Sequence, residues 1–450
     1  MRMKSLFKSI RQYPSAIAGF VIIAILIVVS ITAVVSIPYS EVKQIWRGGA
    51  YWEENPKTVP PAWVNLFRSS KLPETLVIRS EDAAESTSEA LSATMTRKVE
   101  TLTFDYNYRA FPTEVSVFFD ATYESRRPQV KLTWLAADGR EIELFNEQIG
   151  MGTQFRISQD STLQRRKFNN LNPSIGLFID PATSDGAASR RRALQGTYTL
   201  RVQATVFEPD SFVDTKLVVY GGVHGVAGTD ALRRNLLIGL LWGTPLALCF
   251  GLLAAVGSTM MTFCIAAIGA WFGGWVDAII QRITEVRLAL PILPILIMLG
   301  TFYSRSIWIM LGVIIILNIF GAAIKTYRAM FLQVKNSPYV EAARAYGASS
   351  MRIVFRYLIP RIIPVLIPNF VTLIPTFVFL EAALAVLGLG DPVLPTWGKI
   401  LNEANGFGAL YKGMYYWVLE PAVLLIVTGL AFSMVGFALD RIFNPRLRGI

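Results

Sequence analysis

The chain has 450 residues, of which 53% are hydrophobic and 17% charged, and its mean hydropathy is +0.43. This composition excludes an ordinary soluble protein, because such a protein needs a more charged surface than these residues can supply. The formal charge of +11 does not indicate nucleic acid, because the basic residues cluster in short segments that flank long apolar runs.

Long apolar runs predict an α-helical polytopic membrane protein, since about 20 residues are needed for a helix to cross the hydrocarbon core. The first run follows Arg2, Lys4, Lys8 and Arg11 and is longer than the core of a signal peptide, so a retained helix is predicted. Six spans are predicted in chain order, at 16–37, 236–263, 288–302, 307–323, 362–387 and 416–439.

The distribution of basic residues predicts the orientation of these spans. With six crossings, the basic N-terminus, the loop 325–361 and the basic C-terminal tail all fall in one compartment, which the positive-inside rule makes the cytoplasm. Splitting 236–272 into two helices would export the basic loop around Arg344, so one helix is predicted there. A multi-pass protein of the cell inner membrane with both termini cytoplasmic is therefore expected.

Residues 41–227, between the first two spans, have a different pattern. Alternation of apolar and polar residues predicts strands, and Asp138-Gly139 is typical of a hairpin turn. Residues 81–93, poor in large apolar side chains, predict a flexible or short helical connection. The pattern indicates an inserted, extracytoplasmic, mainly β domain of sandwich type. Residues 1–40, which contain the first helix, precede this domain, and a five-helix core at 228–450 follows it. The predicted strands are 99–108, 114–123, 130–135, 141–145, 197–207 and 215–220.

The segment 337–360, in the basic compartment between spans four and five, predicts a short helix followed by a turn. Ser337 can cap the helix and Pro338 suits its first turn. Glu341 would lie near the positive end of the helix dipole. Gly347 then provides a C-terminal stop that permits a tight turn.

A second helix is predicted to begin at Ser349 or Ser350 and to end before Pro360, which gives a helix-turn-helix on the membrane surface. Its small side chains would let a partner approach closely, and its basic side chains would offer charge. The residues assigned to contact with that partner are Glu341, Ala342, Ala343, Arg344, Gly347, Arg352, Arg356 and Pro360.

This segment resembles the Glu-Ala-Ala coupling loop of the permease subunits of binding-protein-dependent ABC importers, which docks on a separate ATPase subunit. Three other stretches resemble the oligopeptide and dipeptide branch of that family. The first is Gly228-Thr229-Asp230, which is followed by Arg233-Arg234-Asn235 where the family has Gly-Arg-Asp. The second is 381–390, continued by Thr396-Trp397-Gly398. The third is Asn444-Pro445-Arg446-Leu447-Arg448.

The resemblance implies a type I ABC importer permease for peptides or a related small solute. It also implies partners, namely a second homologous permease, two ATP-binding subunits and an extracytoplasmic substrate-binding protein, all at the lipid bilayer and without nucleic acid. The sequence contains no phosphate-binding loop, so ATP and Mg²⁺ are expected on the partner subunits. No cofactor, metal or catalytic site is predicted in this chain, and the coupling loop disfavours an ABC exporter. A membrane-anchored sensor or scaffold that recognises its ligand through the external domain is the alternative hypothesis.

Pathway or gate residues are proposed in and after span five. Glu381 is an acid in an apolar run, which either marks a functional site or packs near the outer interface. Pro375 either kinks a pathway-lining helix or reflects the tolerance of membrane helices for proline. Trp397 either contacts the binding protein or belongs to an aromatic belt with Tyr411, Tyr415, Tyr416 and Trp417. The external domain is expected either to help dock the binding protein or guard the outer mouth of the pathway, or to have a structural or envelope-contacting role.

Overall fold

The computed structural model describes residues 13–92, 94–184 and 190–443. The chain divides into two compact units, one made of Met1–Arg47 with Ile238–Ile450 and the other of Gly48–Leu237. The basic N-terminal residues from Arg2 to Arg11 and the tail motif that begins at Asn444 lie outside the described residues, so the predictions made on them stay predictions.

The described residues form α-helices mainly in the first unit and β-strands only in the second. The helices are α1 (Pro14–Ser36), α2 (Tyr39–Ile45), α3 (Ser161–Arg166), α4 (Pro173–Gly176), α5 (Leu236–Phe272), α6 (Gly274–Ala289), α7 (Ile292–Phe302), α8 (Ile307–Ile319), α9 (Ala323–Lys335), α10 (Pro338–Ala345), α11 (Ser350–Leu389), α12 (Trp397–Gly406) and α13 (Tyr415–Phe443). The strands are β1 (Leu76–Arg79), β2 (Glu85–Ala90), β3 (Thr96–Tyr106), β4 (Glu114–Thr122), β5 (Gln129–Leu135), β6 (Glu141–Gln148), β7 (Thr153–Phe155), β8 (Gly196–Val206) and β9 (Phe212–Tyr220).

Four helices in the described part of the chain, α1, α5, α11 and α13, are long and apolar enough to cross a membrane. The pairs α6–α7 and α8–α9 bend by 77° and 46°, and the number of spans rises to as many as six if each pair is one span. The run 236–272 is a single helix, as the charge argument predicted. A helical transmembrane bundle follows from these lengths and compositions.

The second unit is built from two antiparallel sheets. One sheet has the strand order β1-β9-β4-β7 and the other β2-β3-β8-β5-β6. The alternation in β5 buries Val130, Leu132 and Trp134 in a shared core and leaves the intervening residues partly exposed. The predicted turn at Asp138-Gly139 joins β5 to β6, and Gly139 takes the left-handed conformation with φ +86°. The predicted β-rich region is thereby confirmed.

Residues 81–93 are not the flexible or helical connection that their composition predicted. Within them β2 pairs along its whole length with β3, from Glu85 opposite Thr101 to Ala90 opposite Thr96. The prediction was wrong because all six residues of β2 are exposed, so the strand carries no apolar alternation. Ala93 lies outside the described residues.

The second helix of the segment 337–360 does not end before Pro360, contrary to prediction. It runs on as α11 to Leu389 and includes a π turn at Val354–Leu358, in which the Ile359 N–H donates to the Val354 carbonyl. This wider turn shifts the hydrogen-bond ladder where the proline ring would otherwise clash with a carbonyl one turn earlier. Local adjustments of this kind let membrane helices contain proline.

Candidate functional site

The helix α10 follows the predicted local signals closely. Ser337 occupies the N-cap position with Pro338 next, and Glu341 lies in the first turn, where a negative charge favours the helix dipole. The Ser337 side chain makes no capping hydrogen bond within the described residues, so only its backbone acts as the cap.

The turn after α10 is a Schellman motif centred on Gly347. The Gly347 N–H donates to the Arg344 carbonyl and the Ala348 N–H to the Ala343 carbonyl, each at 3.0 Å. Gly347 has φ +76°, in the left-handed region that glycine adopts at little cost. The predicted tight turn at this residue is confirmed.

One face of α10 is buried against its own unit. Val340 is 1% exposed and Ala343 is 7% exposed, so Ala343 packs internally and does not offer a partner the close approach that was predicted for it. These two residues join a cluster from three other helices, with α5 supplying Phe263, Ala267 and Trp271, α9 supplying Ile324, Tyr327 and Phe331, and α11 supplying Ile353, Val354 and Leu358.

The opposite face of α10 and the start of α11 are open to contact by a partner. The exposed residues predicted for such contact are Glu341, Ala342, Arg344, Gly347, Arg352, Arg356 and Pro360. Sequence reasoning missed Tyr346, which is 93% exposed at the C-cap of α10. An aromatic residue directly before the turn glycine was the available signal.

Two basic residues fix this segment to the C-terminal end of α5. The Lys335 ammonium, at the end of α9, donates to the carbonyls of Ala270 at 2.9 Å and Trp271 at 2.7 Å. The Arg344 guanidinium lies 5.0 Å from the centre of the Trp271 ring. Cations near the last carbonyls of a helix are favoured by its dipole, so the exposed turn has an electrostatic connection to a predicted span.

A second cluster surrounds Glu381, which is 7% exposed within α11. At the start of α12, the Thr396 hydroxyl oxygen accepts a hydrogen bond from the Lys399 N–H at 3.2 Å and caps that helix. Glu381 also lines a cavity of about 10 Å³ with Arg305 and Asp391, close to the smallest space that holds one water. The acid therefore faces a small cavity that it shares with two other charged residues.

Trp397 is buried at the start of α12, with 1% of its surface exposed. Its Nε1 donates to the Leu240 carbonyl of α5 at 2.9 Å. The belt hypothesis and direct contact with a binding protein are both wrong for this residue because its ring is enclosed within its own unit. Trp417 is equally buried, whereas Tyr411 and Tyr415 are 96% and 59% exposed.

Pro375 lies six residues before Glu381 in α11, at a close approach of that helix to α5. A Cβ added at Gly251 of α5 would lie 2.9 Å from the Ile374 carbonyl oxygen. Pro375 is itself buried. Pro375 is therefore a packing position close to α5, and Trp397 is fixed to the same helix by its hydrogen bond to Leu240.

Replacing Gly243 with alanine should destabilise the first unit, because the new Cβ would lie 2.3 Å from Trp397 Cδ1. Overpacking of this kind costs about 1–3 kcal/mol. Thermal unfolding of the detergent-purified chain measures the loss. Gly312→Ala in α8 is the matched control, since its Cβ would have no neighbour within 4 Å among the described residues. Equal midpoints for the two variants would contradict the prediction.

In the segment before α5, Arg233 adopts an unusual backbone conformation. Arg233 has φ +66°, a left-handed conformation that is strained for a residue with a side chain. Specific contacts of the Arg233 side chain offset this backbone strain.

Those contacts join the segment to the β-rich unit. Arg233 Nη2 donates to Glu114 Oε2 of β4 at 2.5 Å and its Nη1 donates to the Asn55 carbonyl at 2.6 Å, while both charged side chains are about nine-tenths buried. The guanidinium also lies 4.2 Å from the centre of the Tyr220 ring. Burial raises the pKa of Tyr220 to about 12, so that ring stays neutral beneath the cation.

Asp230 and Arg234, which match the family motif, form a second buried pair. Arg234 Nε donates to Asp230 Oδ2 at 2.5 Å, and the backbone N–H groups of Leu232 and Arg234 donate to Oδ1 at 2.8 and 2.9 Å. Burial raises the pKa of Asp230 despite the opposing effect of Arg234. The motif closes the turn that precedes the first residue of α5.

Comparison with known proteins finds relatives of the helical C-terminal half of the chain. Residues 239–449 match the family described as binding-protein-dependent transport system inner membrane component. A putative peptide permease protein of Brucella suis is 31% identical over 220 residues, which cover 49% of this chain and 72% of the relative.

Two Bacillus subtilis proteins are similar over the same share of the chain. The dipeptide transport system permease protein DppC is 28% identical over 222 residues, covering 49% of this chain and 68% of the relative. The oligopeptide transport system permease protein OppC is 30% identical over 223 residues, covering 49% and 72%. A solved structure of the MetNI methionine ABC transporter overlaps with 44% of this chain and 92% of its own at 21% identity and a TM-score of 0.30.

The apolar helices and the matched region define a multi-pass helical membrane protein of the transport class. The chain belongs to the family of binding-protein-dependent transport system inner membrane components, the permease subunits of ABC importers. In this family ATP hydrolysis belongs to partner subunits, and substrate-binding partners complete the system. The alternative of a sensor or scaffold has no support.

Proposed function

We propose that this chain is a permease subunit for peptides and that the exposed face of α10 and its Gly347 turn receive the ATPase subunit. The observation that carries the proposal is the division of α10 into two faces. Val340 and Ala343 are buried, whereas Glu341 and Arg344 are exposed. Because one face of α10 packs against other helices and the opposite face is exposed, a partner that presses on the exposed face would move the helices on the buried side.

The buried face of α10 packs against three helices, which would transmit the movement of the ATPase. The shared core with α5, α9 and α11 resists compression because protein interiors are close-packed. The Lys335 bonds to the last carbonyls of α5 add a polar connection. Nucleotide-driven motion of the ATPase would therefore move these helices as a body and alternate the access of the pathway.

The complete system would contain two permeases, two ATP-binding subunits with ATP and Mg²⁺, and an extracytoplasmic substrate-binding protein. The relatives named as peptide, dipeptide and oligopeptide permeases support the substrate class. Counting each bent helix pair as one span gives six crossings, so both termini would be cytoplasmic in the inner membrane and the β-rich domain extracytoplasmic. Positive-inside charge bias supports that orientation.

Replacing Glu341 with lysine should weaken ATPase binding at least about tenfold, because hydrogen bonds to charged groups contribute about 1.5–3 kcal/mol. The measurement is the amount of ATPase that co-purifies with the tagged chain as ATPase concentration is varied. Glu147→Lys, an equal charge reversal at an exposed residue of β6, is the control. Unchanged ATPase binding in the Glu341 variant would reject this docking surface.

A further inference from the structure

The second unit presents an exposed apolar turn at Ala62–Phe67. Leu66 and Phe67 are each 82% exposed, more than any other large apolar side chain in the described part of Gly48–Leu237. Trp63, on the same turn, is 47% exposed. Contiguous exposed apolar side chains of this size generally mark an interaction surface.

The turn is held in place by hydrogen bonds and not left as a loose loop. The Ala62 N–H donates to the Gly225 carbonyl at 2.8 Å, and Trp63 Nε1 donates to the Val226 carbonyl at 3.0 Å. The rings of Trp63 and Phe67 meet edge to face, with centres 6.3 Å apart. Val226 is itself 64% exposed and extends the apolar surface.

The residues that hold the turn lead directly into a membrane-spanning helix. Val226 precedes Leu236, the first residue of α5, by only ten positions. Between them, the Thr229 N–H donates to the Val59 carbonyl at 3.0 Å, so the segment before the turn follows the chain toward that helix. An apolar surface so close to the entry point of a span is suited to lipid.

The charges beside the turn complement a lipid headgroup layer. Arg68 and Lys71 are exposed directly after Phe67. Asn65 closes this loop, since its side chain donates to the Leu72 carbonyl at 3.0 Å and accepts from the Leu72 N–H at 2.9 Å. Aromatic and aliphatic side chains followed by basic residues are the composition of interfacial membrane anchors.

We propose that the Ala62–Phe67 turn is a lipid-binding anchor of the β-rich domain. Leu66 and Phe67 enter the boundary between headgroups and acyl chains, Trp63 lies at headgroup level, and Arg68 and Lys71 contact anionic phosphate groups. The anchor binds this surface of the β-rich domain to the lipid headgroup layer. This inference does not depend on where the ATPase docks.

Spin labels on the full chain can test the anchor. Cys249 and Cys264, the free cysteines of the described residues, are first replaced with alanine. Phe67→Cys is then labelled with a nitroxide, and the chain is placed in nanodiscs of phosphatidylcholine and phosphatidylglycerol in equal amounts. Met151→Cys is the matched control, because Met151 is a 64% exposed apolar residue of the same unit. Collision rates with oxygen and with a water-soluble nickel chelate report the depth of each label.

We expect the label at position 67 to be accessible to oxygen and shielded from nickel, with a nickel collision rate at least about tenfold below that at position 151. Equal nickel accessibility at the two positions would overturn the proposal. Shielding of position 67 that appears only after the substrate-binding protein or second permease is added would also overturn it, because the turn would then be a protein interface. Matching thermal midpoints of labelled and unlabelled chains would exclude unfolding as the cause of any exposure.

Discussion

Replacing Gly347 with valine should remove most ATP-driven uptake while leaving the chain in the membrane. Gly347 has φ +76°, and a residue with a side chain in such a conformation costs about 1–3 kcal/mol, with β-branched residues the least tolerated. The strain would open the Schellman turn and release the exposed face of α10. Peptide uptake by proteoliposomes that contain the assembled complex measures the effect, and we expect a decrease of about tenfold or more.

Gly347→Asn separates backbone strain from loss of space at the same position. A Cβ at this residue would meet nothing within 4 Å among the described residues, so crowding within the chain does not explain a defect. Asparagine tolerates the left-handed conformation better than other residues with side chains. The asparagine variant should therefore retain most uptake. If valine and asparagine reduced uptake equally, contact with the partner and not the turn conformation would be the cause.

Replacing Arg233 with alanine should destabilise the β-rich unit by about 3–5 kcal/mol, because Glu114 would remain buried without its partner. Both side chains are about nine-tenths buried and their atoms lie 2.5 Å apart. For a unit of this size the thermal midpoint should fall by about 6–20 °C. Hydrogen exchange of β4 and β9 in the full chain locates the loss. Arg201→Ala at an exposed position of β8 is the control, with little change expected.

The double variant Arg233→Gly with Glu114→Gln tests why the arginine is present. Glycine removes the left-handed strain at a position with φ +66°, and glutamine leaves no buried charge. Gln159, whose Nε2 donates to Glu114 at 3.1 Å, can still bond to the amide oxygen. The double variant should therefore recover much of the lost stability. Additive losses would show that Arg233 and Glu114 act independently.

The hydrophobic pattern predicted β5, where burial is one-sided. The alternation that buries Val130, Leu132 and Trp134 placed β5 within one residue of its observed start. The exposed strand β2 had no such pattern, since its residues are fixed by pairing with β3 and not by a core. A strand without a buried face cannot be found by hydrophobic periodicity.

The candidate site was predicted in its local geometry and less well in its packing. The Gly347 turn depends on one residue and its neighbours, so the sequence contained the signal. The burial of Ala343 and Trp397 depends on helices distant in sequence, α5 above all, and no local pattern reports them. The prediction that the helix ends before Pro360 was wrong because the π turn that accommodates this proline has no sequence signature of its own.

The length of α11 has a mechanical consequence. Its 40 residues from Ser350 to Leu389 extend about 60 Å along the helix path, roughly twice the thickness of the hydrocarbon layer. If this helix tilts as one body it acts as a lever, because each degree of tilt displaces its far end by about 1 Å. The lever begins three residues after the Gly347 turn and ends beside Gly388, whose φ of +85° breaks the helix before Thr396 and Trp397. A small movement at the Gly347 end would therefore displace the Gly388 end by ångströms.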